Sequence, residues 1–205
     1  YDVVVIHVSR EKLHGEFAHL LRSREGVERD WALGRDVPSP MLSMALRGFS
    51  HGFSSTGFSS STWEVAPSLR MIPVRTPTLP PATHTNAFMV GSGEFVLVEP
   101  ATPYPEELDR LVAEVEEARA CGLQLVAILA THHHPDHIGG AMALKRRLGA
   151  PLFAHAATAQ RLEGEVTFDR LLVHGERIAL DGPSPTELVA IHTPGHAPGH
   201  LCFME

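Results

Sequence analysis

The chain is poor in three things that would have assigned it at once. It has only 2 cysteines in 205 residues, Cys121 and Cys202, too few for a disulfide framework, and neither belongs to a C-x-x-C pair. No stretch approaches the ~20 apolar residues that a membrane-spanning helix needs, and the first residues lack the basic region and apolar segment of a secretory signal. Positive charge is also short. Seventeen Lys and Arg face 24 Asp and Glu, a formal charge of −7, which is the wrong sign for the broad basic surface of a non-specific nucleic-acid binder. These absences favour a cytoplasmic protein acting on a small molecule, with no membrane as partner and nucleic acid disfavoured but left open. The sequence opens on Tyr1 rather than Met, so upstream sequence is expected.

What is present is enough apolar material for a core, 43% of the residues, and a surplus of histidine, 14 copies, crowded into 131–137 and 192–200. Residues 2–8 form a β-branched run typical of a buried strand, and Leu13, Phe17, Leu20 and Leu21 recur at helical spacing. The stretch from Gly48 to Thr62 is dominated by Ser, Phe and Gly and reads as a connector. A boundary follows at 62, with 1–62 an appendage that could be the tail of a preceding domain and 63–205 the main domain.

Beyond Trp63 the pattern is regular. The proline-rich stretch 69–82 is expected to be an extended loop. Ala87–Val90 and Glu94–Glu99 are apolar strands joined by the hairpin signal Gly91-Ser92-Gly93, which reads as a turn and not a phosphate cradle because no helix start follows it. Leu108, Leu111, Val112, Val115 and Ala118 make an amphipathic helix opened by Pro105 and stopped by Gly122. Leu125–Ala130 is a continuous apolar strand, and a helix is expected over 138–148, ending at Gly149. Strands follow near 151–154, 170–173, 177–180 and 186–192, with a helical turn near 156–162. The alternation indicates an α/β class with covered sheet faces and sites just past strand ends.

The strand at 125–130 delivers the chain to Thr131-His132-His133-His134-Pro135-Asp136-His137. In an extended segment alternate side chains share a side, so His132 and His134 can converge on one ion while His133 points elsewhere. Asp136 and His137 follow at the turn into the next helix, within reach of an adjacent position. Imidazole and carboxylate suit zinc, and iron or manganese accept the same donors. Compositional bias also produces His-rich tracts, but the spacing, the preceding strand and the following Gly139-Gly140 are a metal motif in its expected context.

Together with a second turn, Thr193-Pro194-Gly195-His196, this segment resembles the metallo-β-lactamase superfamily over about residues 63–205. The resemblance implies an αββα sandwich in which His132, His134 and His196 hold a first metal and Asp136 and His137 contribute to a second, with one or two zinc ions as cofactor. Thr83-His84-Thr85-Asn86 and the run from His192 to His200 are similar to the glyoxalase II-like and lactamase-β-like 2 branches, which include thioesterases and nucleases. The implied chemistry is hydrolysis by a metal-bound hydroxide, the ion lowering the pKa of water from ~15.7 to about 7. Asp136 would orient that hydroxide and accept its proton. A thioester or other activated acyl compound is the leading substrate. A phosphodiesterase or nuclease, an iron-dependent persulfide dioxygenase and a non-catalytic metal-stabilised module are the other readings.

Three departures accompany the resemblance. Ala197 stands where Ser or Thr commonly follows the Thr-Pro-Gly-His turn, and Glu99 stands where Asp is usual after the second strand, which could reposition a hydrogen bond behind the ligands. The family's bridging Asp and last His have no counterpart, so 63–205 is read as the first half of the fold plus the start of the second. The apolar inner face of the first sheet is then expected to need cover from a second copy of the chain or from downstream sequence, with one tightly held metal per chain. Several further residues are read as structural. His84 is a loop histidine, His192 and His200 flank the third ligand, Cys202 packs in a strand, and Lys145-Arg146-Arg147 is a solvated helix face.

Overall fold

A computed structural model describes residues 6–7, 62–66, 68–80 and 82–205. The helix drawn from Leu13 to Leu21, and the connector over 48–62 apart from Thr62, lie outside the described residues. Strands are β1 Ile6–His7, β2 Trp63–Ala66, β3 Leu69–Arg75, β4 His84–Val90, β5 Glu94–Val98, β6 Gln124–Leu129, β7 Leu152–His155, β8 Arg170–Leu172, β9 Glu176–Leu180, β10 Thr186–His192 and β11 Leu201–Met204. Helices are α1 Pro105–Ala120, α2 Pro135–Ile138, α3 Ala141–Leu148 and α4 Ala156–Arg161.

Seven strands form one sheet in the order β2-β3-β4-β5-β6-β7-β8, and four form a second in the order β1-β11-β10-β9. The first half of the large sheet is antiparallel and β5 through β8 are parallel. The strand alternation builds two cores. Phe95, Leu97, Ile128 and Ala130 pack with Leu111 and Val115 of α1 and Leu144 of α3. Their neighbours Val96, Val98, Ala127 and Leu129 pack against Leu188, Ala190, Leu201 and Phe203 of the small sheet. The large sheet is therefore buried on both faces, which is why β5 and β6 read as continuous apolar runs.

Three expectations need correction. The stretch 69–82 is not a loop throughout, because β3 runs through Pro73. Among the described residues β2 pairs only with the start of β3, so on that side Pro73 has no described strand partner, and its carbonyl accepts a hydrogen bond from Arg110 Nη2; a residue without an N–H is tolerated at an edge position. Pairing with β3 likewise draws His84, read as a loop histidine, into β4. The helix expected over 138–148 is two pieces, α2 and α3, broken at Gly139-Gly140. A Cβ at Gly140 would lie 2.4 Å from the carbonyl oxygen of Thr102, and the Gly140 N–H donates to the Pro100 carbonyl at 2.9 Å. The pair of glycines lets the β5–α1 connection press against the metal motif. Finally, the inner face of the large sheet is not left exposed. β9, β10 and β11 cover it within the chain, and β11 finds its neighbours in β10, antiparallel, and β1, parallel.

Candidate metal centre

The two histidine motifs meet because strand ends meet. β6 delivers Thr131 and His132, His134 is the extended residue before α2 with Pro135 at the helix start, and His196 lies in the connector between β10 and β11. That connector is tied across to the first motif by the Leu201 N–H donating to the Thr131 carbonyl at 2.9 Å. It is closed on itself by Thr193 N–H to His200 carbonyl, 2.9 Å, and His200 N–H to Ala197 carbonyl, 3.1 Å. Gly195 supplies the turn with φ 151°, a backbone angle that glycine adopts freely.

Three ring nitrogens converge as a result. His132 Nε2 is 3.1 Å from His134 Nδ1, His134 Nδ1 is 2.9 Å from His196 Nε2, and His196 Nε2 is 3.3 Å from His132 Nε2. A tetrahedral zinc with bonds of about 2.0–2.1 Å separates its nitrogen ligands by roughly 3.3 Å, so this triangle is a few tenths of an ångström tight for one face of a zinc tetrahedron. The donor set fits. His132 is fully buried, His134 partly so and His196 exposed, which leaves one side of the triangle open to solvent. Burial, and after it the neighbouring rings of His137, His200, His134 and His196, holds His132 far below the usual imidazole range, at about 2. It is thus kept neutral, the form that ligates.

Behind the triangle lies a buried network centred on Glu99, which is fully buried. Thr131 Oγ1 donates to Glu99 Oε1 and lies 2.9 Å from His132 Nδ1. His137 Nδ1 lies 2.8 Å from Glu99 Oε2, which turns its Nε2 toward Asp136 Oδ2 at 3.7 Å. Glu99 is the sole described non-glycine residue with positive φ, 66°, a left-handed conformation that costs about 1–2 kcal/mol. Glu99, His132 and His137 also bring one donor atom each within 4.8 Å of one another. Both Glu99 oxygens already hold hydrogen bonds, so we read this second cluster as the support of the ligands.

The other candidates sort by geometry. Asp136 is mostly buried at 8% exposure and lies beside His137, but no third donor joins this pair in the metal-sized clusters among the described residues. His133 stays near the site, its ring 4.7 Å from that of His134, without adding a nitrogen to the triangle. His84 bonds its neighbour Thr83 Oγ1 at 2.8 Å. His192 stacks on His155 with ring centroids 4.0 Å apart and donates to the Pro198 carbonyl. His200, buried, is bonded to Thr193 Oγ1 at 2.8 Å, with its ring 5.1 Å from that of His132. Cys202 Sγ lies 3.3 Å from the same Thr193 hydroxyl. Ala197 is buried. The basic run is largely neutralised, Lys145 by Asp169 and Arg147 by Asp109, each at 2.8 Å. What the sequence reading missed is Thr131 as the link between Glu99 and His132; a hydroxyl immediately before the first ligand was the available signal.

Two sheets with helices against the larger one, and a histidine triangle at the strand ends, define an α/β class with a candidate metal centre, and comparison with known proteins makes it specific. Residues 80–204 match the model of the metallo-beta-lactamase superfamily, and the chain belongs to that family. Among curated relatives, a hydroxyacylglutathione hydrolase of Rhizobium meliloti is 38% identical over 99 residues, covering 48% of this chain and 35% of the relative. An atrochrysone carboxyl ACP thioesterase of Aspergillus chevalieri is 32% identical over 121 residues, covering 58% of this chain and 36% of the relative. The chain thus spans about a third of the length of these relatives. Among solved structures, a metallo-beta-lactamase from Pontibacter korlensis matches with TM-score 0.57 at 17% identity, covering 68% of this chain and 64% of that one. One from Cronobacter sakazakii matches at 0.56 and 22%, covering 70% and 58%. These two show the shared fold. Among the described residues no helix is long and apolar enough to cross a membrane.

Proposed function

We propose that this protein is a zinc-dependent hydrolase of a small thioester or other activated acyl substrate. The observation that carries the reading is the triangle of His132 Nε2, His134 Nδ1 and His196 Nε2, three imidazole nitrogens on a nearly zinc-sized spacing with one side open. These three side chains would hold the ion. What zinc supplies, when held there, is Lewis acidity, which makes water acidic enough to attack at neutral pH and polarises the acyl oxygen. Asp136 is assigned the orienting of the attacking water and the acceptance of its proton, as a mostly buried carboxylate of the same motif, beside His137. His137 is assigned to a second ion with Asp136. Thioester specificity is supported by the relatives named as a glutathione thioester hydrolase and an acyl-carrier thioesterase. A nuclease is disfavoured by the negative charge and by the pairing of Lys145 and Arg147 with carboxylates. The test is matched assays of the zinc-loaded protein on a panel of acyl thioesters and on single-stranded RNA, repeated after chelation. Thioester turnover that exceeds RNA cleavage and vanishes with the chelator is expected; RNA cleavage without thioester turnover overturns the reading.

A further inference from the structure

We propose that Glu99 is a positioning residue shared by both halves of the metal centre, a single carboxylate that sets the tautomer of a ligand histidine on each side. This rests on the metallo-hydrolase reading for its consequence but not for its chemistry. A hydroxyl has one proton. Thr131 Oγ1 donates that proton to Glu99 Oε1, so its contact with His132 Nδ1 must be made by an Nδ1–H on the histidine. The lone pair of His132 is then forced onto Nε2, the atom in the triangle. On the other side a carboxylate oxygen only accepts, so the contact of Glu99 Oε2 with His137 is also made by Nδ1–H, and the lone pair of His137 is forced onto Nε2, which faces Asp136.

Two features indicate that the arrangement is specific to this residue. Glu99 is held in the left-handed region at φ 66°, and its N–H is pinned by the Leu129 carbonyl at 3.0 Å, so the carboxylate's position is set from the backbone outward. Its side chain spans from the end of β5 to residues on two later segments, Thr131 and His137. Gln has the same shape but carries one acceptor and one donor. With its amide NH2 toward His137 it forces the Nε2–H tautomer there. With NH2 toward Thr131 it reverses the hydroxyl, which then donates to His132 and forces Nε2–H on that ring. Either orientation disables one ligand.

The test is long-range 15N–1H NMR correlation of the histidine rings in the metal-free protein, with zinc affinity by chelator competition as a second readout. In the wild type both His132 and His137 are expected as Nδ1–H. In Glu99→Gln one of the two switches to Nε2–H, and zinc binding weakens by about 10- to 100-fold, the usual cost of losing a partner behind a metal ligand. Thr131→Val releases the tautomer of His132 alone, leaving His137 as Nδ1–H, and Thr131→Ser restores it. These two threonine variants keep the test decisive if Glu99→Gln does not fold. Unchanged tautomers of both rings in Glu99→Gln, or in Thr131→Val an unchanged His132, overturn the proposal. Correct tautomers in a wild type that binds no zinc would leave the proposal standing and sink the metallo-hydrolase reading instead.

Discussion

Replacing His132 and His133 by alanine, one at a time, separates neighbours that differ in a single respect. His132 contributes a nitrogen to the triangle, at 3.1 and 3.3 Å from the other two, whereas His133 contributes none. Zinc held by protein sites is worth about 10–16 kcal/mol. Shared over three protein ligands this is about 3–5 kcal/mol each, or a loss of affinity of hundreds- to thousands-fold at roughly 1.4 kcal/mol per decade. His132→Ala is expected to lose that much, well beyond the 10- to 100-fold attributable to an outer hydrogen bond. His133→Ala, which leaves the triangle whole, should change affinity by less than about 3-fold on the same reasoning. Affinities come from chelator competition at neutral pH, with metal analysis after dialysis and circular dichroism to verify folding. His132 is fully buried, so its alanine variant will also lose some stability, and the folded fraction must be taken into account. Equal losses in the two variants would refute the assignment of which face of the segment points at the ion.

Two further outcomes follow from the backbone and from burial. Gly140→Ala drives a Cβ against the Thr102 carbonyl oxygen at 2.4 Å and the Pro100 carbonyl oxygen at 3.0 Å, so it should cost about 1–3 kcal/mol and also weaken zinc binding by displacing the segment that begins at Glu99. Gly149→Ala meets nothing within 4 Å but has φ 63°, so it should cost about 1 kcal/mol and leave zinc binding alone; denaturant midpoints and zinc titrations of both variants decide this. His132, His133 and His155 are all held below the ordinary imidazole value, with burial the largest cause in each. The unfolded chain therefore binds more protons below about pH 6.5. The metal-free protein should be at full strength above that pH and lose stability progressively as pH falls below it. A urea midpoint at pH 5.5 equal to or above that at pH 7.5 would contradict this.

The sequence by itself determined the elements that local pattern encodes. The unbroken apolar runs of β5 and β6, the helical spacing from Leu108 to Ala118 and the stop at Gly122 appear in the structure within a residue or two of where they were read. The alternation of His132 and His134, and the turn that carries His196, were also legible, because two-residue periodicity fixes which side chains share a face before any tertiary contact is made. Only the tertiary structure decided matters that depend on a partner distant in the chain. Pro73 belongs to a strand because β4 and Arg110 receive it, and the helix after the motif breaks because the Pro100–Thr102 carbonyls crowd Gly140. The large sheet is covered because β9, β10 and β11 fold back over it. The role of Glu99 is the clearest case. Its identity was visible as an unusual residue after a strand, but what a buried carboxylate does depends on which donors surround it. Those donors, Thr131 and His137, lie 32 and 38 residues away, brought to it only by the parallel pairing of β5 with β6.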